Sequence, residues 1–374
     1  MGNIMTTITD RPAVEVTQQA SGPSAEEFVD RLMGSALGWA EVNAIHLGDR
    51  LGWYRDLADN GPSTHDELAA RTNTSSRYAR EWLEQQALTG ILVADGEFDA
   101  RDRRYALAPG PKEALTDEHS LAYFAPFARM AGAVGPQLPA LLEAYRAGTG
   151  VSWARFGADA REGQAEMNRP WLAQLPHVFA QVPQVQAALT RPGARIADVG
   201  AGGGWSSIAL AGAHKGLQAD GFDVDEPSVA LARANAREAG VSDRVRFHLA
   251  DGDSIDSHGR YDAVFAFECI HDMPRPVDVL RAMREAVADD GVVVIMDERV
   301  GDGFDQPGEL DALFYAFSLF VCLPDGMSHA PSAATGTVMR AGTLRDYALA
   351  AGFDGASVLP IEGFGLWRFY ELTF

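Results

Sequence analysis

Five short apolar runs mark the second half of the chain: Arg195–Val199, Leu217–Phe222, Val245–Leu249, Tyr261–Phe267 and Val292–Met296. Each has too little polar alternation for a strand with one wet face. They predict strands buried on both sides, the signature of a parallel sheet. Between and after them lie stretches of helical spacing, at Trp205–Ala213, about Pro274–Ala288 and Thr343–Ala351. Val358–Ile361 and Leu366–Leu372 alternate better and predict the closing strands at a sheet edge. Strand and helix in alternation define an α/β domain.

The first half lacks that rhythm. Residues 1–23, rich in Thr, Gln, Ser, Gly and Pro, predict a mobile tail. Ser24 and Glu27 form a capping box before Phe28, Leu32, Ala36 and Ala40, which recur at helical intervals. Helical character continues to Leu57, with breaks near Gly48 and Gly52. Thr64 with Glu67, and then Ser75 or Ser76, start two further helices. Ile91–Val93, a turn at Asp95-Gly96 and Tyr105–Leu107 predict a β-hairpin. Helix, helix, hairpin is a winged-helix pattern. Residues 119–191 are helical and aromatic but often broken by Gly and Pro, as expected of a helical linker and substrate cap. The predicted division is thus tail 1–23, winged-helix and dimerisation domain 24–118, linker and cap 119–191, and α/β domain 192–374.

Composition narrows the function. At 374 residues, two domains are expected. A net charge of −21 argues against a nucleic acid or an anionic membrane as partner, since both need a basic face. The winged-helix stretch Pro62–Glu118 is itself acidic, with seven Lys/Arg against eleven Asp/Glu, a net of −4. An apolar first helix without a basic wing points to dimerisation rather than DNA reading. Two cysteines make no disulfide framework, no run of eighteen apolar residues exists, and the N-terminus lacks a signal peptide's apolar core. A cytoplasmic location is expected.

The candidate chemistry begins at the turn after the first apolar run. Asp198, Gly200, Gly202 and Gly204 spell D-x-G-x-G-x-G, and Trp205 stands where a dinucleotide loop would have its third glycine. Glycines allow a tight turn and close approach of a ligand. A carboxylate just before them is a poor neighbour for a pyrophosphate and a good one for a cation, such as the sulfonium and ammonium of S-adenosylmethionine. Asp223 ends the second strand nineteen residues past Gly204, where it can accept both ribose hydroxyls. Asp251-Gly252 follows the third strand, where an acceptor can take an adenine amino group. Phe267, at the end of the fourth strand, completes the expected cofactor set.

Beyond Phe267 runs Glu268-Cys269-Ile270-His271-Asp272-Met273-Pro274. His271 is the candidate general base. Glu268 would orient it or take the proton itself, and Asp272 is either part of this chemistry or a helix cap. A long insertion, 301–342, is expected to form a lid or binding loop. Trp153, Met167, Asn168, Trp171, Tyr315 and Met327 are the candidate acceptor contacts. No metal is expected, because the best-placed acids are assigned to the cofactor.

These residues carry a resemblance. Gly200–Gly204 with Asp198, Asp223 and Asp251 is similar to class I S-adenosylmethionine-dependent methyltransferases. A winged helix ahead of that fold resembles the small-molecule O-methyltransferases of plant phenolic and bacterial polyketide pathways. The resemblance implies a Rossmann-like seven-stranded sheet in the order 3-2-1-4-5-7-6, a homodimer through the N-terminal domain, and a catalytic histidine after strand four. It also implies a small aromatic or heteroaromatic acceptor. That family has His-Asp-Trp where this chain has His271-Asp272-Met273. The run from Phe267 to Pro274, with Leu323-Pro324-Asp325-Gly326-Met327, is closer to an actinobacterial group whose build some indole C3-methyltransferases share. The competing expectation is an S-adenosylmethionine-sensing winged-helix transcriptional regulator.

Overall fold

A computed structural model of the chain describes residues 22–95 and 101–374. Most of the expected tail and Gly96 of the expected hairpin turn lie outside them. The chain forms two compact units. Of the described residues, the first comprises 22–95, 101–135 and 162–170, and the second 136–161 and 171–374. The stretch 119–191 is therefore shared between the two units.

The first unit is mainly helical. Ser24 and Glu27 make the reciprocal capping box that opens helix Ala25–Arg50. Thr64 and Glu67 make a second box at helix His65–Thr72. Helix Ser76–Leu88 follows, and then the antiparallel pair β1 (Leu92–Ala94) and β2 (Tyr105–Leu107). The winged-helix order is thus present. Its core is aromatic. Trp82 lies 4.8 Å from Trp53 and 5.0 Å from Tyr54, centroid to centroid. Gly48 lets the first helix onto that cluster, since a Cβ there would come within 2.3 Å of the Trp82 ring. The C-terminal half of the helix packs on its own unit through Ala44, Ile45 and Asp49, and the N-terminal half is exposed. Leu37 is 66 % exposed and Trp39 71 %.

The second unit holds a seven-stranded sheet. In chain order the strands are β3 (Arg195–Val199), β4 (Gln218–Asp223), β5 (Val245–Leu249), β6 (Tyr261–Phe267), β7 (Val287–Glu298), β8 (Gly355–Val358) and β9 (Trp367–Thr373). Their spatial order is β5-β4-β3-β6-β7-β9-β8. Numbered within the domain this is 3-2-1-4-5-7-6, the expected order. The five unbroken apolar runs form the parallel part, and β9 runs antiparallel to β7 and β8. One core lies on each face of the sheet. Phe265, Phe369 and Leu210 belong to the first; Val264, Leu280 and Tyr370 belong to the second. Each fully buried side chain of this size contributes about 1.5–3 kcal/mol.

Three expectations shift. The fifth strand is longer than its apolar run, because it starts at Val287 directly after helix Pro276–Ala286. The better-alternating β9 is not an edge strand, as β8 lies outside it. The insertion after β7 is not a plain loop: Asp311–Phe317, Ser318–Cys322 and Leu323–Gly326 form consecutive helical turns. Among the described residues, no helix is long and apolar enough to cross a membrane.

Candidate functional site

The carboxyl ends of β3, β4, β6 and β7 gather most of the predicted chemistry. Gly200, Gly202 and Gly204 have φ of 71°, 50° and 79°, all in the left-handed region that favours glycine. Their surroundings differ. A Cβ on Gly200 would meet the Cys269 thiol at 2.7 Å, and one on Gly204 would meet Phe247 at 2.4 Å. At Gly202 nothing lies within 4 Å. Two of the glycines are thus closed in by the protein, and the third faces open space.

Asp198 is buried, and both the Ser206 and the Ser207 hydroxyl donate to its Oδ2. Burial pushes its pKa up to about 6, and those two hydroxyls only partly oppose the shift. Its other oxygen, Oδ1, is buried without a hydrogen bond. Asp223 accepts from the Gly202 amide at 2.8 Å and from the Asp225 amide at 2.8 Å. Burial raises its pKa as well. Asp225, which sequence reasoning passed over, caps the next helix through Ser228 and binds Arg161. The sequence signal was there in Asp223-Val224-Asp225-Glu226-Pro227, an acid directly before a proline-initiated helix.

The remaining cofactor candidates are more varied. Asp251 caps the turn Gly252–His258, is half exposed and pairs with Arg275 at 3.3 Å. Gly252 is buried against Val199 and Val279. Phe267 stacks on Phe265, with centroids 5.3 Å apart, and belongs to the core. Glu268 has a φ of 55°, an uncommon conformation for a non-glycine residue and one that accompanies functional turns. Its amide donates to Met296 O, tying the turn to β7.

His271 is 2 % exposed. Its Nδ1 lies 2.9 Å from Asp297 Oδ1 and 3.2 Å from Glu298 Oε2, and its Nε2 lies 3.0 Å from Asp272 Oδ1. Burial opposes a charge on this ring. Asp272, Asp297 and Glu298 outweigh burial and hold its pKa well above the usual histidine value. Burial also raises the Glu298 carboxyl well above its usual value. Besides the expected Glu268, Asp297 and Glu298 act on the ring directly. They follow directly on the fifth apolar run, Val292–Met296, and sequence reasoning gave them no role. Their signal was two acids ending a strand next to Phe267-Glu268, and the register confirms the adjacency by pairing Phe267 with Met296.

The insertion packs onto this corner. Gly336 N donates to His271 O at 3.1 Å, and Ala333 N to Pro274 O at 2.8 Å. Asp325 Oδ1 accepts from the Trp153 amide at 2.7 Å, and burial, with Asp272 as the next cause, pushes its pKa up to about 7. Trp153 therefore lies beside the insertion that carries Met327. Tyr315 is partly exposed, with its hydroxyl 3.4 Å from Arg340. Met167 and Asn168 belong to the first unit. Trp171, partly buried, packs edge-on against Phe364 and Trp367. The donor atoms of His271, Asp272 and Cys322, and those of His271, Asp297 and Glu298, fall within 4.8 Å of one another. A metal ion is one occupant such spacing admits. Within the protein, one ring contact is a hydrogen bond, His271 Nδ1 with Asp297 Oδ1, and those to Asp272 and Glu298 are at ion-pair distance.

Fold and turn geometry are similar to those of a methyltransferase domain behind a winged helix-turn-helix domain. Residues 190–318 match the family described as "Methyltransferase domain" and residues 42–117 the "Rv2258c-like winged HTH domain". Over 134 residues the chain is 30 % identical to the ubiquinone biosynthesis O-methyltransferase of Xanthomonas campestris pv. campestris. That alignment covers 34 % of this chain and 55 % of the relative, so the chain spans about half the length of that relative. Solved structures share the fold over nearly the whole length. The mitomycin 7-O-methyltransferase MmcR has a TM-score of 0.67 at 22 % identity, covering 93 % of this chain and 97 % of that one. PigF, determined with SAH, has a TM-score of 0.68 at 19 % identity over 94 % of this chain and 100 % of that one. Human N-acetylserotonin methyltransferase, in complex with SAM, has 0.62 at 18 % identity over 94 % and 99 %.

Proposed function

We propose that the chain transfers the methyl group of S-adenosylmethionine to a small aromatic or heteroaromatic acceptor, at oxygen or at an indole carbon. The observation that carries this reading is Gly202. Its φ is 50°, the space where its Cβ would be is open, and its amide is bound to Asp223. A backbone left bare beside a ribose-reading carboxylate suits a nucleoside, and the acids around it suit a sulfonium. Asp198, Gly200, Gly204, Asp251, Gly252 and Phe267 form the rest of the proposed cofactor site. Trp153, Tyr315 and Met327, with Met167 and Asn168, are the proposed acceptor contacts. His271 with Asp297, Glu298 and Glu268 is the proposed proton-handling centre, because a neutral nucleophile must lose a proton as the methyl arrives. The test is calorimetric titration with S-adenosylmethionine and S-adenosylhomocysteine, then release of S-adenosylhomocysteine across phenols, hydroxyquinolines and indoles. A chain that binds neither compound is not a methyltransferase.

The first unit is proposed to dimerise. Helix Ala25–Arg50 leaves Leu32, Met33, Leu37 and Trp39 exposed, and an apolar hollow of about 610 Å³ opens among Leu47, Leu51, Trp53, Tyr78 and Trp82. Neighbouring apolar surface of this kind is normally covered by a partner. Light scattering should find a dimer, and Leu37→Arg with Trp39→Arg should give a folded monomer. The regulator reading is not favoured. The arginines of helix Ser76–Leu88 are already paired, Arg77 with Glu81 and Arg80 with Glu84, so they offer little positive charge to a phosphate backbone.

A further inference from the structure

The imidazole of His271 is walled in on both nitrogens. Asp297 and Glu298, on β7, close the Nδ1 side and are themselves 1 % and 5 % exposed at the side chain. Asp272 closes the Nε2 side. The sulfur of Cys322, on the insertion, is a further neighbour of the ring, and Cys269, on the turn before His271, feels its charge. The main chain adds to the enclosure: Gly336 N holds His271 O, and a Cβ on Gly326 would lie 3.0 Å from Asp272 O. No atom of the ring is left for a molecule arriving from outside. Of the three carboxylates, only that of Asp272 reaches the surface. Its side chain is 34 % exposed, yet Oδ1, the atom at Nε2, is buried, which leaves Oδ2 as the oxygen a bound molecule can reach.

We infer that Asp272, rather than the imidazole, takes the acceptor's proton, and that His271, pinned from behind by Asp297 and Glu298, is the positioning residue that aims Asp272. This rests on the methyl-transfer reading above. In the step, the acceptor's oxygen, or C3 of an indole, forms a bond to the methyl carbon. The carbon–sulfur bond breaks and its electron pair stays on sulfur, giving S-adenosylhomocysteine. The O–H or indole N–H proton passes to Asp272 Oδ2. One bond to carbon forms and one breaks, one proton moves, and no oxidant or metal is required. The imidazole, 3.0 Å from Oδ1, fixes how the Asp272 carboxyl group is turned and so aligns its other oxygen. The arrangement also gives the raised pKa of His271 a use, since a ring that already carries its proton cannot accept another.

Asp272→Asn and Asp272→Glu test the inference, with S-adenosylhomocysteine release measured across the same phenols, hydroxyquinolines and indoles. Asp272→Asn should lower kcat by about a hundredfold or more, the usual size of a general-base effect, with KM and S-adenosylmethionine affinity nearly unchanged. Asp272→Glu should recover part of the rate, and formate should restore part of it to Asp272→Ala. The wild-type rate should hold through neutral pH and fall on the alkaline side, as the imidazolium beside Asp272 loses its proton. A rate that instead rises with pH through that same titration would make neutral His271 the base and overturn the proposal. So would an Asp272→Asn enzyme with near-normal kcat. A wild-type chain that binds S-adenosylmethionine and turns over while Asp272→Asn does the same isolates failure of this inference. A wild type that binds no S-adenosylmethionine defeats the parent reading and this one with it.

Discussion

The acids at the ends of β3 and β4 and those near the ends of β6 and β7 sit at one edge of the same sheet, but they are held in opposite ways. Asp198 and Asp223 accept from neutral donors, two serine hydroxyls and two backbone amides. Asp272, Asp297 and Glu298 crowd a single buried imidazole. Neutral donors orient a carboxylate without cancelling its charge, so both acids on the first side keep an uncompensated charge and a raised pKa. A ligand cation is what that side lacks. On the second side the acids face a group within the protein that can carry positive charge, the His271 imidazole. The two acid groups thus sit in different electrostatic surroundings, although both read simply as Asp or Glu near a strand end.

Removing the cation of the second group should have the largest effect. His271→Ala leaves three carboxylates facing one another, and loss of one partner from a buried ion pair costs about 3–5 kcal/mol. Turnover should fall by about a hundredfold or more. Denaturant melts and single-turnover rates measured together check both, and a stable, active variant would erase the contrast between the two sides.

Asp198→Asn should act in the other direction. A carboxyl at about 6 in the fold and 3.8 outside it keeps its proton on folding between those values. Wild-type stability therefore falls as pH rises through that window, by up to about 3 kcal/mol once above it. The asparagine variant should exceed wild type above pH 6 and lose the advantage below pH 4. Melting curves across pH decide this, and bound S-adenosylmethionine should narrow the gap if its cation balances the charge.

Smaller effects sharpen the ligand side. Asp223→Ala should weaken S-adenosylmethionine by at least about tenfold, the loss of one charge-assisted contact. Gly202→Ala should cost about 1 kcal/mol of backbone strain, since the space beside it is free, and should show mainly as weaker binding. Gly204→Ala should instead unfold the turn, because its methyl would drive into Phe247. Equal effects at the two glycines would argue against an open ligand face at Gly202. The smallest expected effect is none: a chelator should leave turnover unchanged. Activity lost to a chelator and restored by magnesium would convert the imidazole cluster into a metal site.

Much of the fold was legible because its signals are local. The five parallel strands announce themselves as apolar runs, and both capping boxes follow from residues three apart. The glycine turn and Asp223 were legible for the same reason, since a strand end fixes where a side chain emerges. The partners of His271 were not. Asp297 lies 26 residues further along the chain and meets the ring only because β7 pairs with β6. Cys322 and Asp325 come from an insertion whose path no periodicity reveals.

The sequence by itself determined the five apolar strand runs, the turn that bares Gly202, the acidic character of the stretch Pro62–Glu118 and the identity of His271. Tertiary structure decided what that histidine is. Pairing of β6 with β7 sets two buried carboxylates against one nitrogen, the turn after His271 returns Asp272 to the other, and burial strengthens each attraction. A histidine in a sequence is a group that titrates near neutrality. Enclosed by charges from distant segments, the same ring holds its proton and leaves Asp272 exposed.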